Sequence, residues 1–159
     1  MPKKKIRLYK GLSREEVATA AAETLISGGY KPPQAGDAMS DGTIFAGISP
    51  DTDKPMYAAA ADAPQRMTFK EGKIFAAAFD AHGRKDWRVP SQRELEVLFH
   101  NRVAIGGFDS STDSYPGSCY WSADVYADMP DSAAHAQRFS NGECAGHPNL
   151  DTFWVRCVR

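Results

Sequence analysis

The spacing of apolar residues changes several times along the chain, and each change marks an element. From Ser13 the spacing is helical, with Val17, Ala20, Ala21 and Leu25 behind Ser13-Arg14-Glu15-Glu16. That tetrapeptide is a capping box: the serine hydroxyl accepts from the Glu16 amide, and the glutamate reaches back to the Ser13 amide. Ser27-Gly28-Gly29 closes the helix, since glycine suits the left-handed position after a helix end. The small apolar stripe of this helix needs a surface to pack on, and the body of the domain is the expected one. Residues 30–40, with Pro32, Pro33 and Gly36, read as a connector.

The pattern then changes to strand. Thr43-Ile44-Phe45-Ala46-Gly47-Ile48-Ser49 and Pro55-Met56-Tyr57-Ala58-Ala59-Ala60 flank the turn residues 50–54, which predicts a hairpin. Thr68-Phe69-Lys70-Glu71 is a second capping box, opening a helix through Ile74, Phe75, Ala78 and Phe79 that ends near His82-Gly83. The strongest helix start is Trp87-Arg88-Val89-Pro90-Ser91-Gln92-Arg93-Glu94. Pro90 biases Val89 toward extended backbone, Ser91 and Glu94 form a third box, and Leu95, Leu98 and Phe99 share one face. Trp87 is expected to anchor the turn against that face.

Residues 106–117 form a polar loop rich in glycine and serine. The last third reads as β: strands at 119–126, at 135–140 closed by Asn141-Gly142, and at 152–158, with polar irregular segments at 127–134 and 143–151. The whole is α+β, with an N-terminal helical extension over 1–40 and a domain over 41–159.

Length and composition support one soluble domain: 159 residues, 42% hydrophobic and 25% charged. A net charge of −1 supplies no global field for nucleic acid or an anionic membrane. Lys3, Lys4, Lys5, Arg7 and Lys10 make the N-terminus basic; a solvated terminus or short edge strand is preferred there over a nucleic-acid arm. No apolar run reaches bilayer length, so no membrane insertion is expected. No apolar core follows the basic start, so no secretory signal is expected either. The protein is then made in the cytoplasm, and assembly into a virion or other extracellular particle stays open. The three cysteines, Cys119, Cys144 and Cys157, favour free thiols, with a Cys144–Cys157 bridge as the alternative.

Catalytic patterns are absent. His82, His100, His135 and His147 form no metal-ligand spacing, and there is no nucleophile elbow, phosphate loop or dinucleotide fingerprint. Asp51 and Asp53 resemble a calcium pair without the further ligands that a loop site needs. The chain is read as non-enzymatic, with no metal and no cofactor. Binding chemistry concentrates after Phe108, in Tyr115, Tyr126, Asp128, Asp131, His135, Asn141, Glu143, His147, Asn149 and Asp151. There rigid aromatic area alternates with directional hydrogen-bonding groups. Trp121, Phe139, Phe153 and Trp154 are assigned to the core.

Taken in order, Trp87 to Leu95, Tyr120-Trp121-Ser122, Arg138-Phe139-Ser140-Asn141-Gly142 and Val155-Arg156-Cys157-Val158-Arg159 form a specific set. The set resembles the bacterial domain family named after the C-terminal domain of the Legionella collagen-like protein. The resemblance covers residues 41–159. It implies a C-type-lectin-like fold, similar to formylglycine-generating enzymes and retroelement variable proteins. In such a fold two helices flank a small twisted, mostly antiparallel sheet, long loops emerge on one side, and the terminal strand returns to pair near the first. It implies adhesion or ligand binding, to a surface glycan or protein, through the C-terminal loops. The alternative is a structural or decoration protein of a phage or bacterial surface particle, as a homo-oligomer or part of a larger assembly, docking through its N-terminal segment.

Overall fold

The computed structural model describes residues 13–111 and 115–159. The basic segment 1–12, read above as a terminus, edge strand or arm, lies outside the described residues, as do positions 112–114 of the polar loop. The chain divides into two compact units, one ending at Pro33 and one from Gln34 to Arg159.

In the first unit α1 spans Arg14–Ser27 behind the expected box. Ser13 Oγ accepts from the Glu16 amide at 3.2 Å, and Glu16 accepts from the Ser13 amide at 2.7 Å. No residue of α1 is buried.

The second unit runs β1 (Ile44–Ile48), β2 (Pro55–Ala58), α2 (Phe69–Ala78), α3 (Gln92–His100), α4 (Arg102–Ile105), β3 (Cys119–Val125), β4 (Ala133–Arg138) and β5 (Cys144–Pro148). It is α+β, with two small antiparallel sheets, β1-β2 and β3-β4-β5. The boxes at Thr68 and Ser91 both form.

Four expectations change. Segment 143–151 is not irregular: it contains β5, an edge strand paired to β4. Residues 152–158 do not make a third sheet strand. They run extended and attach to several segments in turn, through bridges Met67↔Phe153, Tyr120↔Trp154, Ala58↔Val158 and Arg88↔Val158. Paired hydrogen bonds between Tyr57 and Arg159, at 3.0 Å each, continue this series beside β2. The buried face of α2 is Phe69, Gly72 and Ala76, while Ile74 is exposed. Trp87 is buried, but with Phe79 and Val89 in a different cluster from Leu95 and Leu98.

The core therefore has two lobes. One gathers Phe69, Trp87, Trp121, Phe153 and Val155; the other gathers Met56, Leu95, Leu98, Tyr120, Phe139 and Val158. Adjacent residues of β3 and of the terminal segment serve opposite lobes, as period-2 geometry requires. Both sides of 153–154 are thus covered: Phe153 is fully buried, and Trp154 packs half-buried against the second lobe.

The interior also holds an Arg156–Asp62 ion pair. Arg156 is fully buried and donates Nε to Asp62 at 2.6 Å, and its Nη2 donates to the Gly107 carbonyl at 2.7 Å. Tyr120 Oη donates to the same carboxylate at 2.6 Å. Burial pushes the Asp62 carboxyl above its ordinary value, against the pull of Arg156 and Tyr120. This network fixes the start of the 106–117 loop.

Candidate functional site: the cleft beside the β4–β5 turn

Asn141-Gly142 makes the turn between β4 and β5. Gly142 has φ +84°, a conformation L residues avoid, and a Cβ there would meet the Phe99 ring at 2.7 Å. The Arg138 amide donates to the Glu143 carbonyl at 2.8 Å, which sets the two residues opposite each other across the turn. The ladder continues with Ala136 opposite Ala145 and Ala134 opposite His147. Alternation then puts Glu143, Ala145 and His147 on one face of β5. Cys119, opposite Arg138 on β3, joins the same face.

These five residues, Cys119, Arg138, Glu143, Ala145 and His147, line a cleft of about 40 Å³. Arg138 Nη1 donates to Glu143 Oε2 at 2.7 Å, with the arginine side chain 20% exposed and the carboxylate 59%. Arg138 Nε is buried and has no hydrogen-bond partner among the described residues.

Tyr115 comes to this cleft from the polar loop. Its ring stacks on His147, with centroids 5.4 Å apart and planes 17° apart, and stands edge-on to Phe153. Its hydroxyl donates to Asp151 Oδ2, and half of the residue stays open to solvent. Asp151 Oδ2 also lies 3.9 Å from His147 Nδ1.

Burial shifts three titratable groups here. His147 is held below the ordinary imidazole value by burial, which outweighs the pull of Asp151. Burial and the neighbouring Asp151 push the Tyr115 hydroxyl up to about 12. Burial likewise raises the Cys119 thiol, against the effect of Arg138. The site brings an imidazole, a phenol and a thiol beside the Arg138 guanidinium and the carboxyl groups of Glu143 and Asp151.

Of the residues singled out from sequence, Tyr115, Glu143, His147 and Asp151 converge here, and Asn141 supports them by accepting from the Glu143 amide at 3.0 Å. The others do not converge. Tyr126 and His135 pack edge to face, 5.2 Å between centroids, on the opposite side of the sheet. There the Tyr126 ring covers Gly146 so closely that a Cβ would meet it at 2.5 Å. Asn149 ties strands together: its amide donates to the Ser132 carbonyl, and its Nδ2 to the Asp131 carbonyl at 3.3 Å. Asp128 and Asp131 are exposed in the segment before β4. Arg138 was not singled out; its signal is the opposite charge placed five residues on, across an Asn-Gly turn.

The three cysteines are free, Cys119 and Cys157 buried and Cys144 exposed. Asp51 accepts from Ser91 Oγ and pairs with Arg93 at 3.1 Å, which gives it a place at the start of α3. Among the described residues no group of three or more His, Cys, Asp or Glu is placed to hold a metal. Among the same residues no helix is long and apolar enough to cross a membrane. A wider groove of about 570 Å³ lies between α3 and β5, lined by Pro50, Gln92, Arg93, Glu96, Val97 and Cys144. It offers no aromatic ring.

A comparison with curated proteins found no match. The family described as the Lcl C-terminal domain matches residues 47–159, from β1 through both sheets to the final Arg159, and the chain belongs to that family.

Proposed function

We propose that the protein is a non-enzymatic binding module that recognises a surface glycan or protein through the Tyr115–His147–Asp151 cluster and the adjoining Arg138–Glu143 pair. Membership in the Lcl C-terminal domain family fits an adhesion or ligand-binding role. The observation that carries the reading is the half-exposed Tyr115 ring, backed by His147 and flanked by carboxylates. A stiff aromatic face loses little entropy on contact, and carboxylates beside it fix orientation. Burial raises the Cys119 thiol and the Tyr115 hydroxyl, which disfavours their anionic, nucleophilic forms and supports binding over catalysis.

The test is a printed glycan array together with immobilised collagen, fibronectin and laminin, probed with the intact protein and with Tyr115→Ala and Asp151→Asn. Selective signal lost in both variants at unchanged thermal midpoint is the expected result. Signal that survives both substitutions removes this cluster from the binding surface.

A further inference from the structure

β5 is the outer strand of its sheet: it pairs with β4 on one side, and among the described residues no strand pairs its other side. The register decides which peptide groups point out. In an antiparallel ladder alternate residues turn both backbone groups toward the partner strand, and the residues between them turn theirs away. The Arg138 amide bonds the Glu143 carbonyl, so Glu143, Ala145 and His147 face β4, while Cys144 and Gly146 face outward. Among the described residues no hydrogen bond takes up the outward amides and carbonyls of Cys144 and Gly146. Cys144 is exposed, and Gly146 is half-buried. An open edge of this kind accepts an extended strand.

We propose that this strand is β5 of a second copy, antiparallel about a two-fold axis at Ala145, so that the two copies share one continuous sheet. Cys144 then stands opposite the partner's Gly146, and Gly146 opposite the partner's Cys144. Each such pair exchanges two hydrogen bonds, and every outward group of both residues is satisfied. Neighbouring registers fail. An axis at Cys144 sets Gly146 against the partner's Gly142, whose amide is already spent on the Arg138 carbonyl at 2.7 Å. An axis at Gly146 sets Cys144 against the partner's Pro148, which has no amide and whose carbonyl already accepts from Asp151 at 2.9 Å. An axis between two residues sets outward groups against inward ones.

The side chains agree with the register. Ala145 meets its own copy at a non-hydrogen-bonded position, where Cα atoms lie about 4.5 Å apart and a methyl group fits. On the same face Glu143 falls opposite the partner's His147, and His147 opposite the partner's Glu143. Arg138 holds Glu143 Oε2, which leaves Oε1 to accept from an imidazole N–H. A foreign strand would gain the backbone bonds alone; a second copy adds this carboxylate–imidazole match twice. The Cys144 thiol lines the groove beside α3 and lies opposite a glycine, so the register forms no disulfide. The pairing does not rest on the binding reading above. Where both hold, the two-fold axis turns both Tyr115 clusters to the same face of the sheet, and a surface of repeated ligands is held by two sites at once.

The experiment is sedimentation of the intact protein under reductant across the micromolar range, together with amide hydrogen exchange at the same concentrations. Two strands of five residues make a contact below the standard interface size, so the dimer is weak and concentration-dependent. Cys144→Pro removes an outward amide and leaves the bonds to β4 in place, a change that an edge strand tolerates; Cys144→Ser keeps the amide. The parent and Cys144→Ser should show the same monomer–dimer equilibrium. The Cys144 and Gly146 amides should exchange more slowly as concentration rises, with a smaller change at Ala145 and His147. Cys144→Pro should weaken the dimer by about ten-fold or more at an unchanged thermal midpoint of the dilute protein. A monomer at every concentration overturns the proposal and leaves the edge to a foreign strand or to none. A dimer indifferent to Cys144→Pro places the contact elsewhere, and one lost in Cys144→Ser assigns it to the thiol; both overturn the pairing. The exchange of the parent decides independently of the variants: no concentration dependence at Cys144 and Gly146 while a dimer forms overturns it as well.

Discussion

Ser49 and Glu94 meet in the interior across 45 residues of sequence: the Ser49 hydroxyl donates to Glu94 Oε1 at 2.6 Å. The same carboxylate closes the capping box at the Ser91 amide, at 3.0 Å, and accepts from Arg88 Nη2 at 2.7 Å. One side chain thus joins the start of α3 to the turn of the first hairpin. Burial alone would raise its pKa, but the donors from Arg88, Ser49 and Ser91 outweigh burial and hold it below the ordinary glutamate value.

This gives a sign for acid stability. A carboxyl with a depressed folded pKa contributes stability that is full above its unfolded value, about 4.3, and is lost as pH falls through the lower folded value. The thermal midpoint should fall on acidification below about pH 4.3, and Glu94→Gln should flatten that part of the profile while lowering the midpoint at pH 7. A Glu94→Gln profile parallel to the parent's would rule the residue out as a source of the acid slope.

Arg156→Met should be among the most damaging single changes. It leaves Asp62 largely buried without its cation and releases the Gly107 carbonyl. Breaking a buried pair from one side costs about 3–5 kcal/mol. Denaturant unfolding of Arg156→Met and of the double change with Asp62→Leu measures it; the double variant should recover part of the loss.

Gly72 faces Val155 with no room for a methyl group: an added Cβ would sit 2.8 Å from Val155 Cγ2. Gly72→Ala should therefore destabilise by about 1–3 kcal/mol despite alanine's better helix propensity. Val155→Ala in the same chain should relieve the clash, and a double-mutant cycle without coupling would refute the contact.

His147 should titrate below the ordinary imidazole value of about 6.5. Its neutral form is the one the fold accepts. Its contribution to stability is full above that value and is lost as pH falls from there to the lower folded pKa. Ring proton shifts followed by NMR give the midpoint; a value at or above about 6.5 contradicts the burial argument.

Scaffold and site should separate. Ser91→Ala removes a cap worth about 1 kcal/mol, and Trp87→Ala removes a buried ring worth several. Both should lower the midpoint with little change in binding per folded molecule. Tyr115→Ala should do the reverse, as read by calorimetry and by the glycan and protein panel.

The elements that were legible in the sequence are those written in local chemistry. All three capping boxes form because Ser or Thr with Glu three residues on satisfies amides whatever the tertiary context. The β1–β2 hairpin and the Asn141-Gly142 turn are equally local. β5 was hidden because Cys-Ala-Gly-His-Pro has little strand propensity; an edge strand paired on one side only needs less. Residues 152–158 do have strand alternation, and the backbone is extended, but its partners come from several segments instead of one strand. α4 spans four residues without a side-chain cap, too short to leave a period. Within the site, Tyr115, Glu143, His147 and Asp151 were legible by residue type alone. That Tyr126 and His135 face the other way follows from the β4–β5 register, which no local pattern prints.

The terminal segment gives the domain a particular order of completion. Residues 153–159 supply backbone partners to Met67, Ala63, Ala59, Arg88, Tyr57 and Trp121. Both lobes of the core, and the arginine that anchors the loop beside the cleft, therefore depend on residues 153–159, which are made after every segment they join. Contacts of such long sequence separation close slowly. A ribosome-bound chain halted at Asp151 would leave two hydrophobic surfaces unsealed, and its short capped helices and hairpins would be only marginally formed. The surface around Tyr115 and His147 would then be completed only once residues 153–159 are in place.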